Sequence, residues 1–183
     1  MSYLFEKYQK EIAPILKKEF GLKNVFQIPK VEKIVVNSGI GRFITQNPQR
    51  KDHIIKEATD ILSKITGQKP LLTSARQSIA GFKLREGMTI GLKVTLRGKR
   101  AYDFLSRLIG AALPRSRDFQ GLSKKSVGPT GVLDIGIQEH IAFPEVAQQQ
   151  ASLLYGFQVT IILTTKKREM ALRFYELLGF PFK

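Results

Sequence analysis

The stretch 88–98, "MTIGLKVTLRG", constrains this chain more than any other. Met88, Ile90, Leu92, Val94 and Leu96 alternate strictly with Thr89, Gly91, Lys93, Thr95 and Arg97. Successive side chains of a strand point to opposite faces, so this spacing predicts a strand with one apolar and one polar face. Such a strand needs partner strands and a layer of helices over its apolar side.

Both are legible. "KVEKIVVNSGIG" reads as a second strand, rich in Val and Ile and ended by glycines, with Lys33, Val35 and Asn37 on one face. "QKPLLT" is a short strand whose Pro70 belongs at an edge or a start. "VLDIGI" and "FQVTIILTT" are two more, the latter with Thr160 and Thr164 on one face and Ile162 between them. Helical spacing marks 3–20 through Leu4, Phe5, Tyr8, Ile12, Ile15 and Leu16, with Gly21 closing the helix and Pro14 kinking or restarting it. The segment 50–66 carries the cleanest stripe (Ile54, Ile55, Ala58, Ile61, Leu62, Ile65), followed by Gly67 at a C-terminal cap. Ala101, Phe104, Leu105, Leu108, Ile109 and Ala112 form a further helix that Pro114 is expected to stop. "FPEVAQQQASLLYG" opens as a helix, and 166–178 closes the chain as one. Between the helix 101–112 and the strand "VLDIGI", "RSRDFQGLSKKSVGPTG" is loop-like, with Asp118 expected to cap turn backbone and Phe119 to plug the loop into the core. Strand pairs mixed with helices predict an α+β fold: a largely antiparallel sheet, helices packed on one face, the other face open.

Charge suggests what the open face meets. Thirty Lys and Arg stand against fifteen Asp and Glu, a formal net charge of +15. That excess implies a polyanionic partner. It is also uneven: 69–100 holds eight cations (Lys69, Arg76, Lys83, Arg85, Lys93, Arg97, Lys99, Arg100) against Glu86 alone. With no Cys, disulfide and thiolate chemistry are excluded, and no apolar run approaches the ~20 residues of a membrane span. The opening "MSYLFEKYQKEIAPILKKEF" lacks the apolar stretch of a signal peptide.

Motifs for catalysis are weak. Gly39-Ile40-Gly41 follows a strand, but Ile44 stands where a dinucleotide fingerprint needs its third glycine. His53 and His140 lie far apart with no ligand neighbours at motif spacing, so no metal site is assigned. No nucleophile motif or paired acids occur, so neither catalytic residues nor a cofactor are expected. "TSARQSIAGFKLREG", 73–87, mixes cations with apolar residues and is too long for a tight turn. Within it Phe82 either stacks on a base or sugar or pins its own loop, and the residues alone leave both open.

Taken together, "KVEKIVVNSGIG", "ITGQKPLLTSARQSIAGFKLREGMTIGLKVTLRG", "ALPRSRDFQGLS", "FPEV" and "LLGFPF", in that order, resemble a known family. It is the bacterial-type large-subunit ribosomal protein family that binds 5S ribosomal RNA, the universal L five family, and the resemblance spans 1–183. The resemblance implies a single 5S rRNA-binding domain, with Asn37, Gln68 and Thr95 meeting the RNA and Lys33, Lys93 and Arg97 supplying attraction. It further implies contact with 23S rRNA, a place in the central protuberance of the cytoplasmic ribosome, neighbouring ribosomal proteins and a small-subunit bridge partner. The loop 73–87 would reach peptidyl-site tRNA through Ser74, Arg76, Ser78, Gly81, Phe82, Lys83 and Arg85. The chain departs from the family pattern at 123–140, where Val132-Leu133 replaces an Asn-Tyr pair and His140 a Gln. The competing reading, a nucleotide-using or RNA-modifying enzyme, rests on Gly39-Ile40-Gly41 and the basic surface.

Overall fold

The structure is a computed structural model that describes residues 3–117, 119–147 and 153–183. In chain order its elements are α1 (Tyr3–Lys7), α2 (Ala13–Glu19), β1 (Val31–Gly39), α3 (Gly41–Gln46), α4 (Lys51–Thr66), β2 (Leu71–Ser74) and β3 (Thr89–Leu96). There follow α5 (Lys99–Arg107), α6 (Leu113–Arg115), β4 (Leu133–Ile137), α7 (Pro144–Ala147), β5 (Phe157–Leu163) and α8 (Arg168–Leu178). The five strands make one sheet in the order β2-β3-β1-β5-β4, every neighbouring pair antiparallel. The expected α+β architecture is the observed one. The Asp118 cap and any continuation of the helix past Ala147 fall on or reach into residues outside the described ones.

The alternation in β3 resolves as predicted: Leu92, Val94 and Leu96 are fully buried, beside Ile34 and Val36 of β1 and Val159 and Ile161 of β5. Over this face α4 sets Ile54, Ala58, Ile61, Leu62 and Ile65, while α5 and α8 contribute Phe104, Leu105, Phe174 and Tyr175. The Tyr102 ring meets Phe5 edge-on at 5.2 Å, and its hydroxyl accepts the Val31 N–H at 3.2 Å, tying the first helix to the start of β1. Phe119 packs against the core as expected.

The helix that Pro114 is expected to stop ends there, to within one residue: α6 stops at Arg115 and Ser116 is extended. The turn before it, Leu108–Ala112, is a π-helix whose closing bond runs from the Leu113 N–H to the Leu108 carbonyl. Pro14 is accommodated identically, after a π-helical turn Tyr8–Ile12 closed by Ala13 N–H onto Tyr8 O. A proline lacks the N–H and its ring crowds the carbonyl four residues back, and one widened turn relieves both. Ile15, assigned to the apolar stripe, is 39% exposed. Gly91 lies opposite Gly39 on the polar side of β3 as expected, but it is buried between the flanking strands, where a Cβ would lie 2.8 Å from both Ser38 O and Thr73 Oγ1.

His140 is fully buried, a feature its sequence neighbours do not signal. It stacks on Tyr155 at 4.7 Å, and Nδ1 lies 3.3 Å from the Tyr155 carbonyl, which can only accept, so Nδ1 donates. Burial pushes its pKa below the ordinary value, against the opposing pull of the Tyr155 carbonyl and of Glu57 and Glu139. The unfolded chain therefore takes up the proton first as pH falls. His140 contributes stability above pH ~6.5 and loses it as pH drops from there toward the lower folded value. Thermal melts should show a fall in Tm between neutral pH and pH ~5.5 that is smaller in His140→Gln; equal falls in both proteins would refute this.

Candidate nucleic-acid interface

The face of the sheet away from the helices is open, and strand register arranges it in rows. One row crosses all five strands: Leu71, Lys93, Asn37, Gln158, Gly136. The next is Thr95, Val35, Thr160, Asp134. Lys33 pairs with Ile162 beyond a bulge at the start of β1, and exposed Arg97 directly follows β3. Gln68 reaches the same region, its Nε2 donating to the Thr95 carbonyl at 3.4 Å. The structure thus places Lys33, Asn37, Gln68, Lys93, Thr95 and Arg97, the residues that the resemblance implies, in one region of the sheet.

Two features of this face were not read from the sequence. Gly39 and Gly136 stand where a Cβ would meet nothing within 4 Å, so bare backbone faces solvent and a ligand can approach closely. Asp134 accepts hydrogen bonds from Gln158 Nε2 at 2.9 Å and from Thr160 Oγ1. Cross-strand pairing makes both visible, and pairing is a long-range property.

Ion pairs engage Lys10, Lys33, Arg107, Arg117, Lys124 and Arg173. Among the described residues, none of the eight cations between Lys69 and Arg100 forms an ion pair. Cations left without an internal counter-charge form a field that attracts a polyanion.

The segment between β2 and β3 is a hairpin-like arm rather than an open loop, and it begins later than expected, because Thr73 and Ser74 belong to β2. Its base is closed by Ala75 N–H to Met88 O at 2.8 Å and Gly87 N–H to Ala75 O at 3.0 Å. Farther out, Ile79 and Leu84 exchange both backbone bonds around a short helical turn, Ala80–Phe82. The left-handed position of that turn is Lys83, with φ 53°, not Gly81. Ser78 Oγ accepts the Glu86 N–H at 2.9 Å, so its hydroxyl also braces the arm. Ser74, Arg76, Gly81, Lys83 and Arg85 are exposed. Phe82 borders a recess with Gly41, Arg42, Thr45, Leu84 and Ile90, yet it remains 70% exposed.

Among the described residues, the motifs weighed for an enzyme do not form a site. Gly39-Ile40-Gly41 leads into the six-residue α3, with Ile40 buried and its N–H bonded to the Ile90 carbonyl of an antiparallel strand. A dinucleotide crevice needs parallel strands, and the sheet has none. His53 pairs with Glu57 on the surface of α4, and no group of three or more potential metal ligands occurs among the described residues. No helix among them is long and apolar enough to cross a membrane.

Comparison with known proteins agrees with this geometry. Residues 24–85 match the family described as ribosomal protein L5, and residues 89–182 match the model for the C-terminus of that ribosomal family. Similar proteins include the large ribosomal subunit protein uL5 of Syntrophomonas wolfei subsp. wolfei (strain DSM 2245B / Goettingen), 47% identical over 183 residues and 100% of both chains. The large ribosomal subunit protein uL5 of Thermoanaerobacter sp. (strain X514) is 47% identical over 182 residues, covering 100% of this chain and 99% of that one. These relatives are structural proteins rather than enzymes, which sets the enzymatic alternative aside. With both parts of the fold matched and identity sustained from end to end, the chain belongs to the ribosomal protein L5 family.

Proposed function

We propose that this chain is a structural constituent of the large ribosomal subunit in the cytoplasm that binds 5S rRNA on its open sheet face. One observation carries the reading: a one-sided sheet presents Lys93, Asn37 and Thr95 in adjacent rows, while Lys93 and Arg97 form no ion pair with any described residue. Lys33, Lys93 and Arg97 attract phosphates without regard to sequence, while Asn37, Gln68 and Thr95 meet 2′-hydroxyls and fix register. Residues 1–183 act as one RNA-binding unit that helps attach 5S rRNA to 23S rRNA in the central protuberance, beside neighbouring ribosomal proteins and a small-subunit bridge partner. The end of β2 at Ser74 and the arm beyond it, with Arg76, Ser78, Gly81, Phe82, Lys83 and Arg85, meet peptidyl-site tRNA, with Phe82 offering a ring for stacking.

Because the arm closes on its own backbone bonds at Ala75 and Met88, it is separable from the sheet. Replacing residues 76–86 by a short glycine link should leave 5S rRNA affinity nearly intact and abolish tRNA crosslinks in reconstituted ribosomes. Loss of 5S binding in that variant would contradict the division of labour.

A further inference from the structure

The open face is not electrostatically uniform. Its cations, Lys33, Lys93 and Arg97, come from β1 and β3 and the turn after β3. At the other end, on β5 and β4, the row partners are Gln158, Thr160, Gly136 and the carboxylate of Asp134. These strands and the end of β1 enclose a shallow recess lined by Asn37, Gly39, Asp134, Gly136, Gly156, Phe157 and Gln158. Its lining contains no cation and one anion.

Asp134 is held in place. Both Gln158 and Thr160 donate to the same oxygen, Oδ1, which fixes the carboxylate across β4 and β5 and leaves Oδ2 for an outside donor. Arg117 and Lys183 line a separate recess that Asp134 also borders, between β4 and the 113–126 segment. Neither forms an ion pair with Asp134 among the described residues.

We infer that the recess at the β5–β4 end takes ribose 2′-hydroxyls and base amino groups of the RNA minor groove, with Asp134 as a specificity-determining acceptor, and that phosphates lie at the β1–β3 end. A fixed anion repels phosphate, whereas 2′-hydroxyl and guanine amino groups are donors that a carboxylate accepts. An A-form helix displays just these donors in its wide, shallow minor groove. The bare backbone at Gly39 and Gly136 lets that groove settle onto the strands. The inference rests on the proposed 5S rRNA binding and adds an orientation: the duplex lies with its minor groove over β5 and β4 and one phosphate strand over β3.

The test uses the full chain, 5S rRNA and Asp134→Asn, which keeps an oxygen for Gln158 and Thr160 but places a donor where Oδ2 stood. Asp134 is exposed, so equal melting curves should show the fold unchanged. Affinity should fall about tenfold, the usual effect of losing a hydrogen bond to a charged group, with an unaltered log–log salt slope. Replacing ribose by deoxyribose at the protected minor-groove nucleotides should weaken wild type and leave Asp134→Asn almost unaffected. Tighter binding by Asp134→Asn with a steeper salt slope would place a phosphate there and overturn the inference, as would unchanged affinity. If wild type itself shows no preference for 5S rRNA, the proposed function fails instead.

Discussion

Gly156→Ala should lower stability by about 3 kcal/mol, a fall in Tm of roughly 6–12 °C for a chain of this size. A Cβ at this position would sit 2.6 Å from the Ile137 carbonyl oxygen and 2.7 Å from that of Gln138. Both neighbours are backbone at the end of β4, so no rotamer change relieves the contact. The strands must separate at the junction where β4 meets β5. That same junction receives β1: the buried Ser38 hydroxyl donates to the Gly156 carbonyl at 2.8 Å. Displacing Gly156 therefore strands a buried hydroxyl as well as opening a ladder. Gly136→Ala, on the open face with nothing within 4 Å of its Cβ, provides the control and should melt almost as wild type does. Equal melting of the two variants would show that the close approach has no energetic weight.

Lys93→Glu should have the largest effect on RNA binding, with little effect on folding. Lys93 is exposed at the centre of β3, between Leu71 and Asn37 in the row that crosses the sheet. It forms no ion pair with any described residue, so nothing in the fold depends on its charge. Reversing it removes a phosphate contact and sets an anion against the RNA backbone, costing about 2–3 kcal/mol, or roughly a hundredfold in affinity at moderate salt. The log–log salt slope should become shallower by about one unit. Lys10→Glu, far along the chain in the π-helical turn between α1 and α2, should leave the slope unchanged. An unaffected slope in Lys93→Glu would remove the sheet face from the binding site.

Much of this architecture is local and was therefore readable. The two-residue period of 88–97 specified a one-sided strand, and the stripe of 50–66 specified the helix that covers it. Gly67 announced its cap, and it indeed adopts φ 66°. Asn37 and Thr95 were separately placed on polar faces, and the ladder set them in neighbouring rows. What escaped depends on distant partners. His140 looks like an ordinary polar residue after a strand until Tyr155 stacks over it. Asp134 looks like a solvated acid until β5 brings up Gln158 and Thr160. Gly91 and Gly156 are demanded by backbone oxygens on other segments, which no local pattern encodes. Pro114 did mark the end of its helix, at Arg115, but the π turn just before it has no local signature.

The central claim is that the open face recognises a particular structured RNA and does not merely attract polyanions. The most direct measurement is competition binding of the full chain to 5S rRNA against a random duplex of equal length, repeated over a range of salt concentrations. Affinity for both should fall with salt, while the preference for 5S rRNA should persist and widen as the non-specific component is screened. Equal affinity for the two RNAs at every salt concentration would contradict it.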